Sequence, residues 1–144
     1  MRQTQLSHQI VETIPERLEE GVLYVSLRYG TALHKCACGC GEEVVTPINP
    51  TDWSIRFDQS GVTLHPSIGN WSFACQSHYW IRRGGIVWAG RMTQKQIERG
   101  REFDRQSKEQ YFAEVNRTKG FDQKTQQPGI LETIWAALKR WWNP

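Results

Sequence analysis

Short apolar segments separated by turn-forming residues dominate the chain up to residue 90. TALHKC, EEVVTPI, WSIRFD and GVTLHP are each six or seven residues long and mix β-branched, aromatic and polar residues, as half-buried strands do. Clusters of glycine, proline and asparagine lie between them, for example at Asn49-Pro50 and from Pro66 to Asn70. This alternation predicts a small, mostly antiparallel β domain.

Three further segments refine this prediction. GVLYVSLRY has the composition of a strand, and IPERLEEG before it predicts one helical turn that is closed by Gly21. HYWIRRGGIVWA predicts a β-hairpin with Gly84 and Gly85 at its turn.

After Gly90 the pattern becomes helical. MTQKQIERGREFDRQSKEQYFAEV predicts a long, well-solvated helix with Thr93 as its N-cap, and NRTKGFDQKTQQPG has the composition of a linker. ILETIWAALKRWW places apolar residues at i, i+3, i+4 and i+7, which predicts an amphipathic, Trp-rich helix. We therefore predict an α+β chain, with a β domain over residues 1–90 and C-terminal helices over residues 91–144.

Length, composition and charge narrow the class of protein. The 144 residues are 38% hydrophobic and 23% charged, which suits an ordinary globular chain and excludes a disordered polyelectrolyte. We find no apolar run of 18 residues and no apolar core in the first 20 residues, so we expect a cytoplasmic protein without a membrane span. The net charge of +3 is too small to predict a nucleic-acid partner.

The four cysteines form the strongest chemical signal. Cys36, Cys38 and Cys40 lie in CACGCG, and Cys75 begins CQSH, which also supplies His78. Thiols this close along the chain pair poorly as disulfides, whereas thiolate and imidazole are the ligands that zinc prefers. We therefore predict a Zn²⁺ site, formed either by three of the thiolates with His78 or by all four cysteines.

The ligand types favour a structural zinc, but the polar residues nearby are also compatible with a catalytic zinc. A catalytic site needs an open coordination position and usually a base for the metal-bound water. Glu42, directly after the cysteine cluster, is the candidate carboxylate.

Three stretches carry a resemblance to a known family. TALHKCACGCGEEVVTPINPTDW, LHPSIGNWSFACQSHYWI and the following IVWA resemble a bacterial domain-of-unknown-function family with C-x-C-G-C-G, P-S-I-G-N-W and C-x-S-H-Y-W-I motifs. Its members tend to be encoded beside bacterial ubiquitin-like conjugation genes. The resemblance implies a role in attaching, removing or recognising such a modifier. Its motifs map onto the four cysteines, His78 and residues 66–71.

Two functions follow from these observations. The first is a zinc-containing peptidase that acts on a ubiquitin-like modifier, through zinc-bound water or through a serine activated by His78. Ser67 and Ser72 are better nucleophile candidates than Ser77, because adjacent side chains on a strand point to opposite faces. The second is a non-enzymatic zinc module that docks the modifier or one of its activating or conjugating enzymes.

The Trp-rich C-terminal helix allows a further interpretation. Its basic and apolar residues could anchor the chain to an anionic membrane or in a partner's groove, but we prefer the prediction that it packs on the domain's own core.

Overall fold

The computed structural model describes residues 1–125. Eight strands and one helix occupy them: β1 (Ser7–Ile10), β2 (Val22–Ser26), β3 (Thr31–Lys35), β4 (Glu43–Pro47), β5 (Ser54–Asp58), β6 (Gly61–Gly69), β7 (His78–Arg82), β8 (Gly85–Trp88) and α1 (Gln94–Thr125). These elements confirm the prediction of mostly antiparallel sheets followed by helix.

The strands form two four-stranded sheets in sequence order, β1-β2-β3-β4 and β5-β6-β7-β8. All neighbouring pairs are antiparallel except β1 and β2. One apolar core takes side chains from both sheets, including Leu23 and Val25 of β2, Leu64 of β6 and Ile81 of β7. Two sheets that share one core in this way bury their apolar faces against each other.

The other face of β2 is buried as well. Val22 and Tyr24 pack with Leu18, and with Val11 and Ile14 at the edge of this second, smaller cluster. IPERLEEG supplies part of this cover with bends and a turn, not with the predicted helical turn. Burial of its apolar side chains on β2 therefore outweighs its weak helical propensity.

An irregularity in β6 shapes the second sheet. Leu64 pairs with Ile81 and Ile68 pairs with Tyr79, so three residues of β6 lie opposite one residue of β7. The extra length is a β-bulge that contains the stretch from His65 to Ser67. The bulge brings Ser67 onto the outer face of the sheet, beside the start of β7.

The β7–β8 hairpin is present as predicted, with its turn displaced by one residue. Arg82 pairs with Gly85, and Arg83 and Gly84 form the turn with φ of 51° and 77°. Two positive φ angles are the signature of a type I′ turn, whose twist suits a two-residue hairpin.

Helix α1 begins after Thr93, as predicted. The Thr93 Oγ1 accepts a hydrogen bond from the Gln96 N–H, and the Gln96 side chain accepts one from the Thr93 N–H. The helix continues through residues 116–125, so the linker prediction is wrong for this part of the segment. Helical geometry lets Arg117 form an i,i+3 ion pair of 3.0 Å with Glu114, a contact that the composition of the segment alone does not reveal. The predicted Trp-rich helix lies outside the described residues.

The chain divides into two compact units, Met1–Glu102 and Phe103–Pro144. In the first unit, Ile97 of α1 is 6% exposed. Up to residue 125, no helix combines the length and the apolar character that crossing a bilayer requires.

Candidate functional site

The four cysteines converge from two distant parts of the chain. Cys36, Cys38 and Cys40 follow β3, Cys75 precedes β7, and their four sulfur atoms lie within 4.8 Å of one another. All four are free thiols. The turn that gathers the first three includes a hydrogen bond from the Gly39 N–H to the Cys36 carbonyl.

The spacing of these sulfur atoms fits a tetrahedral zinc ion. Zinc–sulfur bonds of about 2.3 Å at tetrahedral angles separate the sulfurs by about 3.8 Å. The Cys36–Cys75 and Cys40–Cys75 Sγ distances are 3.9 and 3.7 Å, and the Cys36–Cys38 distance is 3.4 Å. The group therefore has the donor set and the size that zinc requires.

The surroundings of the cysteines shift their pKa values in opposite directions, and only the Cys75 thiol becomes easier to ionise. Burial raises the pKa of Cys38, and the backbone N–H of Cys40 opposes this shift. Partial burial also disfavours the Cys75 thiolate, but hydrogen bonds from the Ser77 side chain and N–H bring its pKa down to about 7. Because metal ligands must be deprotonated, these hydrogen bonds favour metal binding at Cys75.

A network of buried polar side chains lies next to the cysteines. Ser77 Oγ lies 3.1 Å from Cys36 Sγ and 3.6 Å from Cys75 Sγ, and it accepts a hydrogen bond of 2.8 Å from Asn70 Nδ2. The Tyr79 hydroxyl lies 2.9 Å from His34 Nε2. Partners of this kind orient metal ligands and tune their affinity.

His34 is neutral at pH 7 in this network. It is fully buried, and burial lowers its pKa to about 4. Its Nδ1 has no hydrogen-bond partner among the described residues, so protonation would place an uncompensated charge in the core.

His78, the fifth candidate ligand, lies outside the group of four sulfurs and has a different set of contacts. Its Nε2 lies 3.0 Å from Ser67 Oγ, and its Nδ1 lies 3.2 Å from the carbonyl oxygen of Gly90. A carbonyl only accepts, so Nδ1 carries the proton and Nε2 is free to accept from the serine hydroxyl. Ser67 Oγ, the His78 imidazole and the Gly90 carbonyl therefore form one hydrogen-bonded series.

The strands explain how these side chains meet. Gly69 of β6 pairs with His78 of β7, and Ser67 stands two residues before Gly69 on the same face. Ser67 is half-buried and His78 is 8% exposed. The same short segment that carries Cys75 enters β7 at His78, so the cysteine group and the Ser67–His78 pair share one support.

Two tryptophans enclose the imidazole. The ring centres of Trp71 and Trp80 lie 5.0 and 5.6 Å from that of His78. The Trp71 indole lies directly over Gly69, where an added Cβ would come within 2.5 Å of its Cε2 atom. A small cavity of about 80 Å³ next to His78 is lined by Cys38 and Cys75 as well, so the two groups are neighbours.

The remaining candidates lie elsewhere. The main chain of Glu42 accepts a hydrogen bond from the Cys36 N–H, and its side chain is exposed with no hydrogen bond to any described residue. Ser72 is exposed, and Ser77 is buried against the cysteines instead of facing His78.

A comparison with family models gives a match over the β domain. Residues 10–89 match the model of the bacterial ubiquitination-like system serine protease, BubE. The chain belongs to this family. The match confirms the predicted link with bacterial ubiquitin-like systems and supports a peptidase, and the family name indicates serine chemistry in place of zinc chemistry. Comparisons with curated proteins and with solved structures gave no match.

Some parts of the candidate site have no signal in the sequence. Gly90 contributes its backbone carbonyl, which every residue type has, so the sequence does not identify it. Asn70 has the sequence context of a turn residue, and His34 and Tyr79 have that of strand residues. Their contacts in the polar network next to the cysteines form only in the folded chain, so the sequence does not indicate them. A polar residue at a strand position that the alternation predicts to be buried is the sequence signal that could have indicated this network.

Proposed function

We propose that this chain is a serine peptidase in which Ser67 is the nucleophile and His78 is the general base. The observation that carries the proposal is the hydrogen-bonded series from Ser67 Oγ through His78 to the Gly90 carbonyl, with distances of 3.0 and 3.2 Å. Membership of a serine protease family supports it independently.

The proposed reaction follows from the protonation state of His78. Ser67 Oγ attacks the carbonyl carbon of the scissile bond, and its proton passes to His78 Nε2. The imidazolium then protonates the leaving group as the bond to the carbonyl carbon breaks, which leaves an acyl-Ser67 ester. Water loses a proton to His78 and hydrolyses this ester, which restores both side chains. The Gly90 carbonyl keeps Nδ1 protonated throughout and holds the ring toward Ser67.

The four cysteines have a structural role in this proposal. A Zn²⁺ ion bound by Cys36, Cys38, Cys40 and Cys75 would have no open position, and its chemistry would be to cross-link the β3–β4 loop to the segment before β7. Cys75 lies three residues before His78, so the cross-link fixes the start of β7. His78 and Glu42 have no part in metal binding in this arrangement.

The proposed substrate is a protein bearing a bacterial ubiquitin-like modifier, or a precursor of that modifier. The family assignment supports partners from this system. Partial exposure of Ser67 on the outer face of the sheet suits a macromolecular substrate, because an extended chain can reach it without entering a deep pocket.

A fluorophosphonate probe tests the nucleophile directly. We expect the purified chain to gain one covalent adduct, located at Ser67 by peptide mass spectrometry. Ser67→Ala and His78→Ala should abolish labelling, whereas Ser72→Ala, which changes an exposed serine on the neighbouring loop, should not.

The same protein preparations should cleave a modifier fusion with the same dependence on Ser67. Tight binding of the modifier without labelling or cleavage would refute the peptidase proposal and favour the non-enzymatic binding module. Cleavage that survives Ser67→Ala and is lost on chelation would instead favour zinc-bound water as the nucleophile.

A further inference from the structure

A polar groove lies on the outer face of the second sheet, on the same face as Ser67 and His78. It has a volume of about 540 Å³, and the side chains of three strands line it. Arg56 and Asp58 come from β5, His65 from β6, and Arg82 and Arg83 from the end of β7 and its turn. These positions alternate with buried core residues such as Leu64 and Ile81, so their side chains point away from the core.

The groove has an excess of positive charge. Three arginines face one carboxylate, Asp58, which accepts a hydrogen bond from the Ser60 N–H. None of these arginines forms an ion pair with a described residue, although Arg82 stacks on the Trp80 ring at 5.2 Å. Exposed guanidinium groups without carboxylate partners are available to bind an anionic ligand.

The groove is continuous with the Ser67–His78 pair. His78, Trp80 and Arg82 occupy alternate positions of β7 and form one line on its outer face. Four residues of antiparallel strand span about 13 Å, so Arg82 lies about that far from His78. His65 is only two residues from Ser67 along β6, so one end of the groove adjoins the proposed nucleophile.

We propose that this groove binds an acidic segment of the cleaved polypeptide, with a carboxylate side chain two to four residues from the scissile bond. An extended chain advances about 3.3 Å per residue, so four residues span about the distance from His78 to Arg82, and fewer residues reach the end of the groove at His65. Trp80, between the two sites, offers an aromatic surface to the intervening residues. The inference rests on the proposed function, because it takes Ser67 as the point of cleavage.

A peptide library tests the inference on many sequences at once. The full chain is incubated with a proteome-derived peptide mixture, and the cleaved bonds are identified by mass spectrometry. We expect Asp and Glu to be enriched two to four residues from the cleaved bond on one side. Arg56→Glu combined with Arg83→Glu should remove this enrichment and lower kcat/KM for acidic peptides about tenfold, at roughly two- to fivefold per exposed charge pair.

Three controls separate this inference from the proposed function. The fluorophosphonate labelling rate of Ser67 should be unchanged in the double variant, because no hydrogen bond joins either arginine to Ser67 or His78. Arg17→Glu makes one such charge reversal at an exposed position before β2 and should leave the preference intact, whereas Arg56→Glu or Arg83→Glu alone should weaken it. Added NaCl should weaken cleavage of acidic peptides and leave probe labelling unchanged.

The outcomes are distinct. An unchanged preference in the double variant overturns the inference and leaves the peptidase standing. Binding of RNA that depends on Arg56 and Arg83, together with cleavage indifferent to acidic residues, also overturns it. Absence of both cleavage and Ser67 labelling in the wild-type chain refutes the proposed function itself.

Discussion

Replacement of Gly69 by alanine should disable the site with a single methyl group. Gly69 pairs with His78 across β6 and β7, and the Trp71 indole covers it. An added Cβ would lie 2.5 Å from Trp71 Cε2 and closer still to Nε1. Because ordinary contacts of this kind begin near 3.4 Å, the indole must move by about 1 Å or the strand must yield.

The indole that would be displaced, that of Trp71, contacts His78, the proposed base. Trp71 lies edge-on to His78 with ring centres 5.0 Å apart, so a shift of the indole removes one wall of the imidazole pocket. Misplacement of reacting groups by about 1 Å costs on the order of 100-fold in rate. Since His78 keeps its hydrogen bonds to Ser67 and Gly90, we expect a smaller loss, of about 10- to 100-fold. Overpacking should also lower the free energy of unfolding by about 1–3 kcal/mol.

The assay is the rate of fluorophosphonate labelling at Ser67, measured beside urea unfolding. Gly100→Ala is a matched control for the labelling rate, because a Cβ there meets nothing within 4 Å and Gly100 has no contact with the proposed site among those described. A double-mutant cycle adds Trp71→Ala alone and together with Gly69→Ala. Without the indole the added methyl has space, so Gly69→Ala should have little further effect in that background.

Two results would refute this reasoning. Labelling by Gly69→Ala at the wild-type rate would mean that the Trp71 position has no bearing on His78. An equal loss with and without Trp71 would mean that the alanine acts through the strand backbone and not through the indole.

Three further predictions concern the cysteine group and its support. The purified chain should contain one zinc per molecule by elemental analysis, and chelation at pH 7 should abolish Ser67 labelling while the far-ultraviolet signature of the sheets persists, because the core shared by the sheets has its own apolar contacts. Ser77→Ala should weaken zinc binding about 10- to 100-fold in a chelator competition, since it removes the hydroxyl next to two sulfurs, whereas Ser72→Ala should not. The His34 pKa of about 4, against about 6.5 in the unfolded chain, predicts that stability is complete above pH 6.5 and falls by about 3 kcal/mol as the pH drops to 4. His34→Leu should show a shallower fall in urea titrations, and equal slopes for the two proteins would contradict the assignment.

Local patterns suffice to predict most of the fold. The strand alternation of GVTLHP, the Thr93 cap and the hairpin around Gly84 each depend on near neighbours, so sequence patterns predict them well. The prediction for the segment from Ile14 to Gly21 is wrong because its apolar residues are needed on β2, a contact that the local pattern does not contain. The hairpin turn lies one residue away from its predicted position because Arg83 takes a positive φ, which residue type does not foretell.

In the candidate site too, some features follow from local sequence patterns and others depend on the fold. The cysteine spacing predicts a metal-sized group of thiols, and the alternation of strand side chains favours Ser67 over Ser77. Local signals do not settle whether His78 faces the sulfurs or a serine, since that depends on how far β6 bulges opposite β7. The structure resolves it through the Ser67 and Gly90 contacts.

The bulge in β6 also means that the residues of the proposed site and the residues of the core occupy different parts of the strand. Leu64 and Ile68 point inward on either side of the bulge, and the pair of surplus residues between them keeps the inward and outward alternation in phase. A shortened strand that lacks Pro66 and Ser67 would keep every core side chain on its own face and lose only the hydroxyl. If Ser67 is the nucleophile, a chain with this deletion would keep its core and its four cysteines and would lose the peptidase activity alone.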